Sequence, residues 1–210
     1  MQAIDAAAID TFGIPRLLLM EHAGLAVARA VRALRPPPAS VVACCGSGFN
    51  GGDGLAAARH LHQWGYQLRI ILAAPSASLA GEPAVFARIL ARLGVPLVEW
   101  TRPGQAPLAP LAAAAVLVDA LLGLGLRGPV REPAASLIQH MNASRAPIVA
   151  VDLPSGLDGD DGSIHGPAVR AAVTVTFGLP KQGCVQGAGP AHTGRLVVDD
   201  ITFPPPLLTP

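Results

Sequence analysis

The sequence predicts an α/β fold in which helices cover both faces of a mostly parallel β-sheet. Short apolar segments with strand character alternate with helix-like segments along nearly all of the 210 residues. Within each of these segments the apolar residues follow one another instead of alternating with polar ones, which is typical of strands that are buried on both faces of a parallel sheet. The first of them runs directly into a glycine-rich loop and then a helix-like segment.

The order of the elements follows from the local sequence. Alanine-rich residues 3–11 predict a short helix, and Arg16–Leu34 predict a longer one that begins after Pro15 and ends before three consecutive prolines. Strands are predicted at Ser40–Cys45, Gln67–Leu72, 96–100, 115–118, Ile148–Val151, Val173–Phe177 and 195–198. Further helices are predicted at residues 53–64, 81–93 and near 133–142, with a proline-rich loop through Pro110 and an extended tail at residues 203–206.

Length and composition predict a single domain over residues 1–210. Hydrophobic residues make up 51% of the chain, yet the most apolar stretch, residues 108–126, is interrupted by a proline, an aspartate and glycines. We therefore expect no membrane span. The N-terminus lacks the basic start of a signal peptide, so we expect a cytoplasmic protein. The net charge of +1 and 4% aromatic residues provide neither the basic surface nor the stacking surface of a nucleic-acid-binding protein.

Basic residues are distributed unusually, since 14 of the 15 are arginine and only Lys181 is lysine. A compact ammonium group and a planar guanidinium group are not equivalent, so Lys181 could occupy a position where arginine would fail. Chance survival of one lysine is an equally good interpretation.

Polar or glycine-rich segments follow four of the predicted strands, at residues 46–53, 119–128, 152–158 and 177–181. Ligands of parallel α/β sheets bind outside the carboxyl ends of the strands. The four segments therefore predict one shared cleft. Helix capping by aspartate and chain reversal at glycine are the alternatives for each segment taken alone.

The glycine loop matches G-x-G-x-x-G at residues 46–51, where a helix N-terminus would follow a strand and could bind phosphate. No acidic residue occurs between Asp53 and Glu82, so the carboxylate that usually binds the ribose in NAD-dependent dehydrogenases is missing. A phosphate-binding P-loop is also excluded, because no Gly-Lys-Ser/Thr follows the glycines.

Three oxygen-bearing side chains lie at predicted strand ends: Asn50, Asp119 and Ser155. Hard cations prefer such ligands, and one carboxylate among them suits a monovalent ion. Ordinary hydrogen bonding at turns is the alternative. The segment around Ser155 does not match G-x-S-x-G, which argues against a serine hydrolase.

Taken together, the motifs resemble the NAD(P)H-hydrate epimerase family, also called the YjeF N-terminal domain. The resemblance extends over nearly the whole chain. It rests on the glycine loop with the following Ala-Arg-His-Leu, on Leu-Met-Glu-His-Ala-Gly at 19–24, and on segments 119–128, 151–156, 176–181 and 194–196. Phe49, His22 and Leu124 depart from the family pattern, which usually has Asn, Asn and Thr at these places.

This resemblance implies a Rossmann-like, three-layer α/β/α sandwich that is often a homodimer. It also implies epimerisation of the R and S forms of hydrated NADH and NADPH (NADHX and NADPHX) at C6 of the nicotinamide ring. That reaction repairs damaged cofactor, because a partner dehydratase accepts only the S form. With 210 residues, we expect the dehydratase to be a separate chain.

The resemblance further implies one potassium ion, with Asn50, Asp119 and Ser155 as its ligands. Residues implied to contact the hydrated nucleotide are Phe49, Asn50, Gly51, Gly52, Asp53, Gly123, Leu124, Gly125, Leu126, Arg127, Gly128, Pro129 and Asp152. For proton transfer we expect Asp152 to act, with Lys181 either assisting or pairing with a phosphate.

Two other functional classes remain open at this point. A non-catalytic nucleotide- or protein-binding module on the same fold is the main alternative, although such a module would have no need of Asp119, Asp152 and Ser155 together. A kinase-like enzyme is a weaker alternative, since the chain is small and lacks a phosphate-loop lysine.

Overall fold

The computed structural model describes residues 2–104, 109–126 and 128–208. Within these residues seven strands form one sheet: β1 (Ser40–Cys45), β2 (Gln67–Leu72), β3 (Leu97–Glu99), β4 (Val116–Ala120), β5 (Ile148–Val151), β6 (Val173–Phe177) and β7 (Arg195–Asp199). The helices of the same residues are α1 (Gln2–Asp10), α2 (Arg16–Leu34), α3 (Phe49–Gln63), α4 (Gly81–Arg92), α5 (Ala109–Ala113), α6 (Ala134–Ala143) and α7 (Gly189–His192).

The sheet is parallel throughout and has the order β3-β2-β1-β4-β5-β6-β7. From β1 the chain builds outward through β2 to β3, then returns to the middle and builds the other half from β4. The direction of winding therefore reverses between β1 and β4. In open α/β sheets the ligand crevice lies at such a switch point, outside the carboxyl ends of the strands.

Helices cover both faces, as the sequence predicts. Neighbouring residues of β1 belong to different apolar clusters, because successive side chains of a strand point to opposite faces. Cys45 packs in the cluster that contains α2, α3 and α4, whereas Cys44 packs in the cluster that contains α5 and α6. The α/β/α arrangement and the parallel sheet are thus confirmed.

The third helix begins at Phe49, four residues earlier than predicted, so the glycine loop is shorter than the sequence suggests. Gly48 ends the extended segment, with φ −85° and ψ −170°, and three glycines then follow inside the helix. Glycine disfavours a helix interior, which hides this start from propensity arguments. Tertiary packing overrides the propensity, since a Cβ on Gly52 would lie 2.6 Å from the Met20 methyl group of α2.

Smaller differences occur at short elements. Helix α5 begins at Ala109, inside the predicted proline-rich loop, and Pro110 is tolerated there because the first turn of a helix needs no N–H donor. Helix α7 was not predicted, and the tail makes a 3₁₀ turn at Pro205–Leu207 instead of being extended throughout. No helix in the described segments is both long enough and apolar enough to cross a membrane.

Candidate active site

A cleft of about 810 Å³ opens at the carboxyl ends of β1, β4, β5 and β6. All four polar segments that follow these strands contribute to its wall, at positions such as Asn50, Leu122, Asp152 and Lys181. The cleft therefore lies beside the switch point of the sheet, where the topology favours a ligand.

The N-terminus of α3 forms one wall of this cleft. No side chain caps its first turn, so backbone N–H groups at this end remain available to an anion. Gly51 and Gly52 are buried behind the surface, where a Cβ on Gly51 would approach the Gly46 carbonyl oxygen to 1.9 Å. These two glycines permit close packing under the loop, and their contact with a nucleotide stays a prediction.

Asp152 and Lys181 form an ion pair in the cleft, from two adjacent strand ends. Asp152 follows β5 and has a left-handed backbone with φ 64°, which is uncommon for a residue other than glycine. Its Oδ1 accepts hydrogen bonds from Lys181 Nζ, from the Thr176 hydroxyl at 3.2 Å and from the Phe177 N–H at 3.3 Å. The side chains are 13% and 4% exposed, so the pair is largely desolvated.

The ammonium group of Lys181 also donates to the Phe177 carbonyl oxygen at 2.9 Å. This carbonyl oxygen is the second acceptor for Lys181 Nζ and holds it close to the end of β6. Lys181 is thus buried and bonded twice, and the need for a compact ammonium group at this position stays a prediction.

Three further carboxyl groups line the same cleft: Asp5 of α1, Asp53 of α3 and the exposed Glu132. Burial raises the pKa of Asp53 well above its usual range, and the negative charges of Asp152 and Asp5 add to this effect while Lys181 opposes it. Burial followed by the charge of Asp152 also raises the pKa of Asp5. The cleft thus holds carboxyl groups that favour the protonated form beside an ion-paired carboxylate.

Next to the ion pair, the three predicted metal ligands lie around the backbone of Leu122. Asn50 Nδ2 donates to the Leu122 carbonyl oxygen at 2.9 Å, and the Leu122 N–H donates to Ser155 Oγ at 2.9 Å. Ser155 Oγ in turn donates to Asp119 Oδ1 at 2.6 Å, and the Ser155 N–H donates to Asp119 Oδ2 at 2.8 Å. The structure therefore brings Asn50, Asp119 and Ser155 into one oxygen-rich cluster.

Asp119 is fully buried in β4, and burial raises its pKa to about 6 despite hydrogen bonds from Ser155 and the Leu121 N–H that lower it. Among the described residues no basic side chain lies within ion-pair distance of this carboxyl group. A buried carboxylate without a counter-charge is unfavourable, so the cluster fits a small cation in its chemistry.

The loop after β4 supplies much of the remaining wall. Gly123, Leu124, Gly125, Leu126 and Pro129 line the main cleft. Gly128 instead lines a neighbouring cavity of about 360 Å³ beside residues 157–160. Arg127 lies outside the described residues, and its expected contact with the nucleotide stays a prediction.

Several cleft residues were missed by sequence reasoning, among them Asp5, Arg16 and Arg131. Phe49, which was expected there, is 55% exposed and lies under the guanidinium group of Arg16. No motif could have revealed Asp5 and Arg16, because α1 and α2 precede β1 and reach the cleft only through the tertiary fold.

Comparison with known proteins agrees with the motifs. The family described as YjeF-related protein N-terminus matches residues 16–183. The chain belongs to this family. Its YjeF-related fold is also seen in the crystal structure of the yeast protein ynu0, which superimposes with a TM-score of 0.80 at 29% sequence identity and covers 95% of this chain and 88% of that one.

Two kinds of relative of this YjeF-related chain differ in length. The bifunctional NAD(P)H-hydrate repair enzyme Nnr of Pyrobaculum aerophilum is 47% identical over 207 residues, which are 93% of this chain and 39% of that protein. The NAD(P)H-hydrate epimerase of Limosilactobacillus fermentum is 40% identical over 200 residues, which are 95% of this chain and 93% of that protein. The chain spans about two fifths of the bifunctional relatives and nearly all of the epimerase.

Proposed function

We propose that this chain is an NAD(P)H-hydrate epimerase, which interconverts the R and S forms of NADHX and NADPHX at C6 of the nicotinamide ring. The observation that carries the proposal is the buried Asp152–Lys181 pair in a cleft beside an uncapped helix N-terminus. A relative of matching length and 40% identity is named for this reaction.

Inversion at C6 requires the hydroxyl group to leave as water and to return on the other face of the ring. The lone pair of the ring nitrogen expels the hydroxyl group and leaves an iminium cation, so a carboxyl group must give and later take one proton. Asp152 is placed for this task, since its Oδ1 is fixed by three donors and it lines the cleft. Because it is an ion-paired carboxylate at rest, it would first take up a proton from solvent or from a neighbouring carboxyl group such as Asp53, then give it to the departing hydroxyl group and recover one from the returning water. Lys181 orients Asp152 and balances its negative charge beside the cationic intermediate.

The nucleotide part of the substrate would lie along the segments around the cleft. Phosphate oxygens suit the free N–H groups at the start of α3, next to Phe49 and Asn50. The loop at residues 123–126 forms the facing wall. The carboxyl groups of Asp53 and Asp152 then lie within the same cleft as the ring that reacts.

We propose potassium as the resident ion, held by Asn50, Asp119 and Ser155. When bound, the ion would supply the positive charge that buried Asp119 lacks and would fix the loop that follows β4. The amide nitrogen of Asn50 is engaged with Leu122, which leaves its carbonyl oxygen for the ion.

The proposed biological setting follows from the reaction. The S form would be consumed by a dehydratase, which removes the added water. We propose a cytoplasmic location, where reduced nicotinamide nucleotides are used, and a homodimeric state that light scattering after gel filtration would test.

The direct test is proton NMR of purified R-form NADHX with and without the protein in potassium buffer. We expect the S form to appear faster than it does spontaneously. Asp152→Asn should reduce that acceleration by about 100-fold or more, whereas Asp10→Asn, an exposed position outside the cleft, should leave it unchanged. A folded protein that gives no acceleration would favour a non-catalytic binding module.

A further inference from the structure

The first residues of α2 and α3 form a cation–π pair at the edge of the cleft. The guanidinium carbon of Arg16 lies 4.3 Å from the centre of the Phe49 ring, and both side chains line the cleft. More than half of the Phe49 side chain is exposed, and the face of its ring is covered by the guanidinium group. Its ring supports the arginine.

The charge of Arg16 acts on Asp5 of α1 from a distance, where it opposes the burial that raises the pKa of that carboxyl group. In the described segments no carboxylate lies within ion-pair distance of its guanidinium group. Stacking on an aromatic face orients a guanidinium group without consuming its N–H donors. A planar set of N–H donors is therefore held at the cleft edge and remains open to a partner.

Two other basic side chains line the cleft: Arg131, which is exposed, and Lys181, which is already bonded to Asp152 and to a backbone carbonyl. Asp152 pairs with Lys181, and the carboxyl groups of Asp5 and Asp53 line the same space, so the interior offers an anion no unpaired positive charge. A phosphate group would then be bound at the edge, where Arg16 lies, rather than in the interior.

We propose that Arg16, supported by Phe49, binds a phosphate group of the nucleotide substrate. The identity of that nucleotide rests on the proposed function, but the phosphate chemistry rests on the guanidinium group alone. A planar fork of donors matches two phosphate oxygens at once. The family motif usually has an amide side chain at position 49. In this chain the Phe49 ring takes its place and supports the charged donor group of Arg16.

Calorimetric titration with ADP-ribose, which has the diphosphate but no reactive ring, tests this directly. Arg16→Gln should weaken binding by about 10-fold to 100-fold and reduce its dependence on salt. Phe49→Leu should weaken binding by about 2-fold to 5-fold because it removes only the platform. Arg32→Gln is the matched control, since Arg32 stacks on Trp64 at 4.4 Å but does not line the cleft.

The same titration with 2′-phospho-ADP-ribose distinguishes the two possible phosphates. An equal loss for both ligands assigns Arg16 to the diphosphate, and a larger loss for the 2′-phosphorylated ligand assigns it to that phosphate. Unchanged binding in Arg16→Gln, an equal loss in Arg32→Gln, or no binding of either ligand by the wild type would overturn the inference.

The outcome is separable from that of the proposed function. If ADP-ribose binds in an Arg16-dependent way but the protein does not accelerate epimerisation, this inference is supported and the proposed epimerase function is wrong. An active epimerase whose Arg16→Gln variant keeps the wild-type KM would remove only this inference.

Discussion

Replacing Lys181 with methionine should destabilise the protein strongly. Methionine keeps the length of the side chain but leaves the Asp152 carboxylate in a largely desolvated place without its ammonium partner. Removing one partner of a buried ion pair costs about 3–5 kcal/mol in free energy of unfolding, compared with about 0–1 kcal/mol for an exposed pair. For a chain of this size the melting temperature should fall by about 6–20 °C.

Urea unfolding followed by circular dichroism at pH 7 measures this cost. The double variant Asp152→Asn/Lys181→Met removes both charges, so we expect it to be more stable than Lys181→Met alone by at least about 1.5 kcal/mol. Arg59→Met serves as the control, because the Arg59–Glu21 pair is more exposed, at 24% and 33%.

Two results would refute the reasoning. If Lys181→Met costs no more than Arg59→Met, burial does not strengthen the cleft pair. If the double variant is no more stable than Lys181→Met, an unpaired carboxylate is not the source of the loss.

Three other predictions follow from glycine packing, from the oxygen cluster and from a cleft carboxyl group. Gly24→Ala should lower the free energy of unfolding by about 1–3 kcal/mol, because the new Cβ would lie 2.5 Å from Ala56 Cβ of α3. Gly125→Ala is the control: its Cβ would meet no atom within 4 Å, so it should be nearly neutral when both variants are compared by thermal melting. Compared with tetramethylammonium chloride, potassium chloride at about 100 times its dissociation constant should add about 2.7 kcal/mol to the free energy of unfolding and thereby raise the melting temperature. Asp119→Asn should remove the difference, and equal melting in both salts would contradict the proposed ion site. Because burial raises the pKa of Asp53, the folded state favours its protonated form, and this contribution to stability is lost as pH rises above about 4. Asp53→Asn should therefore gain stability relative to wild type as pH increases from 5 to 8, whereas a constant difference would argue against a raised pKa.

Much of the fold follows from the sequence because its signals are local. The continuous apolar runs at Ile148–Val151 and Val173–Phe177 are strands with the predicted bounds. The long helix Arg16–Leu34 also has the predicted bounds, set by prolines on both sides. The predicted start of α3 was wrong because glycine has low helix propensity. Only the packing of α3 on α2 makes a helix favourable over Phe49–Asp53.

The site was predictable to the extent that its residues follow strands. Asp119 and Asp152 lie at strand ends, and parallel strands necessarily bring such ends together. The direct pairing of Asp152 with Lys181 was left open, because sequence spacing does not determine which partner a side chain at a strand end meets. Asp5 and Arg16 come from the helices before β1, whose approach to the cleft depends on helix packing alone.

The single lysine has a practical consequence for chemical modification of the protein. Acylating reagents attack neutral amines, and the only side-chain amine in this sequence is 96% shielded and bonded to two acceptors. Lysine acylation read by mass spectrometry would therefore report on one position, the floor of the cleft. An acyl group at Lys181 would mark molecules in which the Asp152–Lys181 pair had separated, so one covalent label would count separation events without any engineered probe.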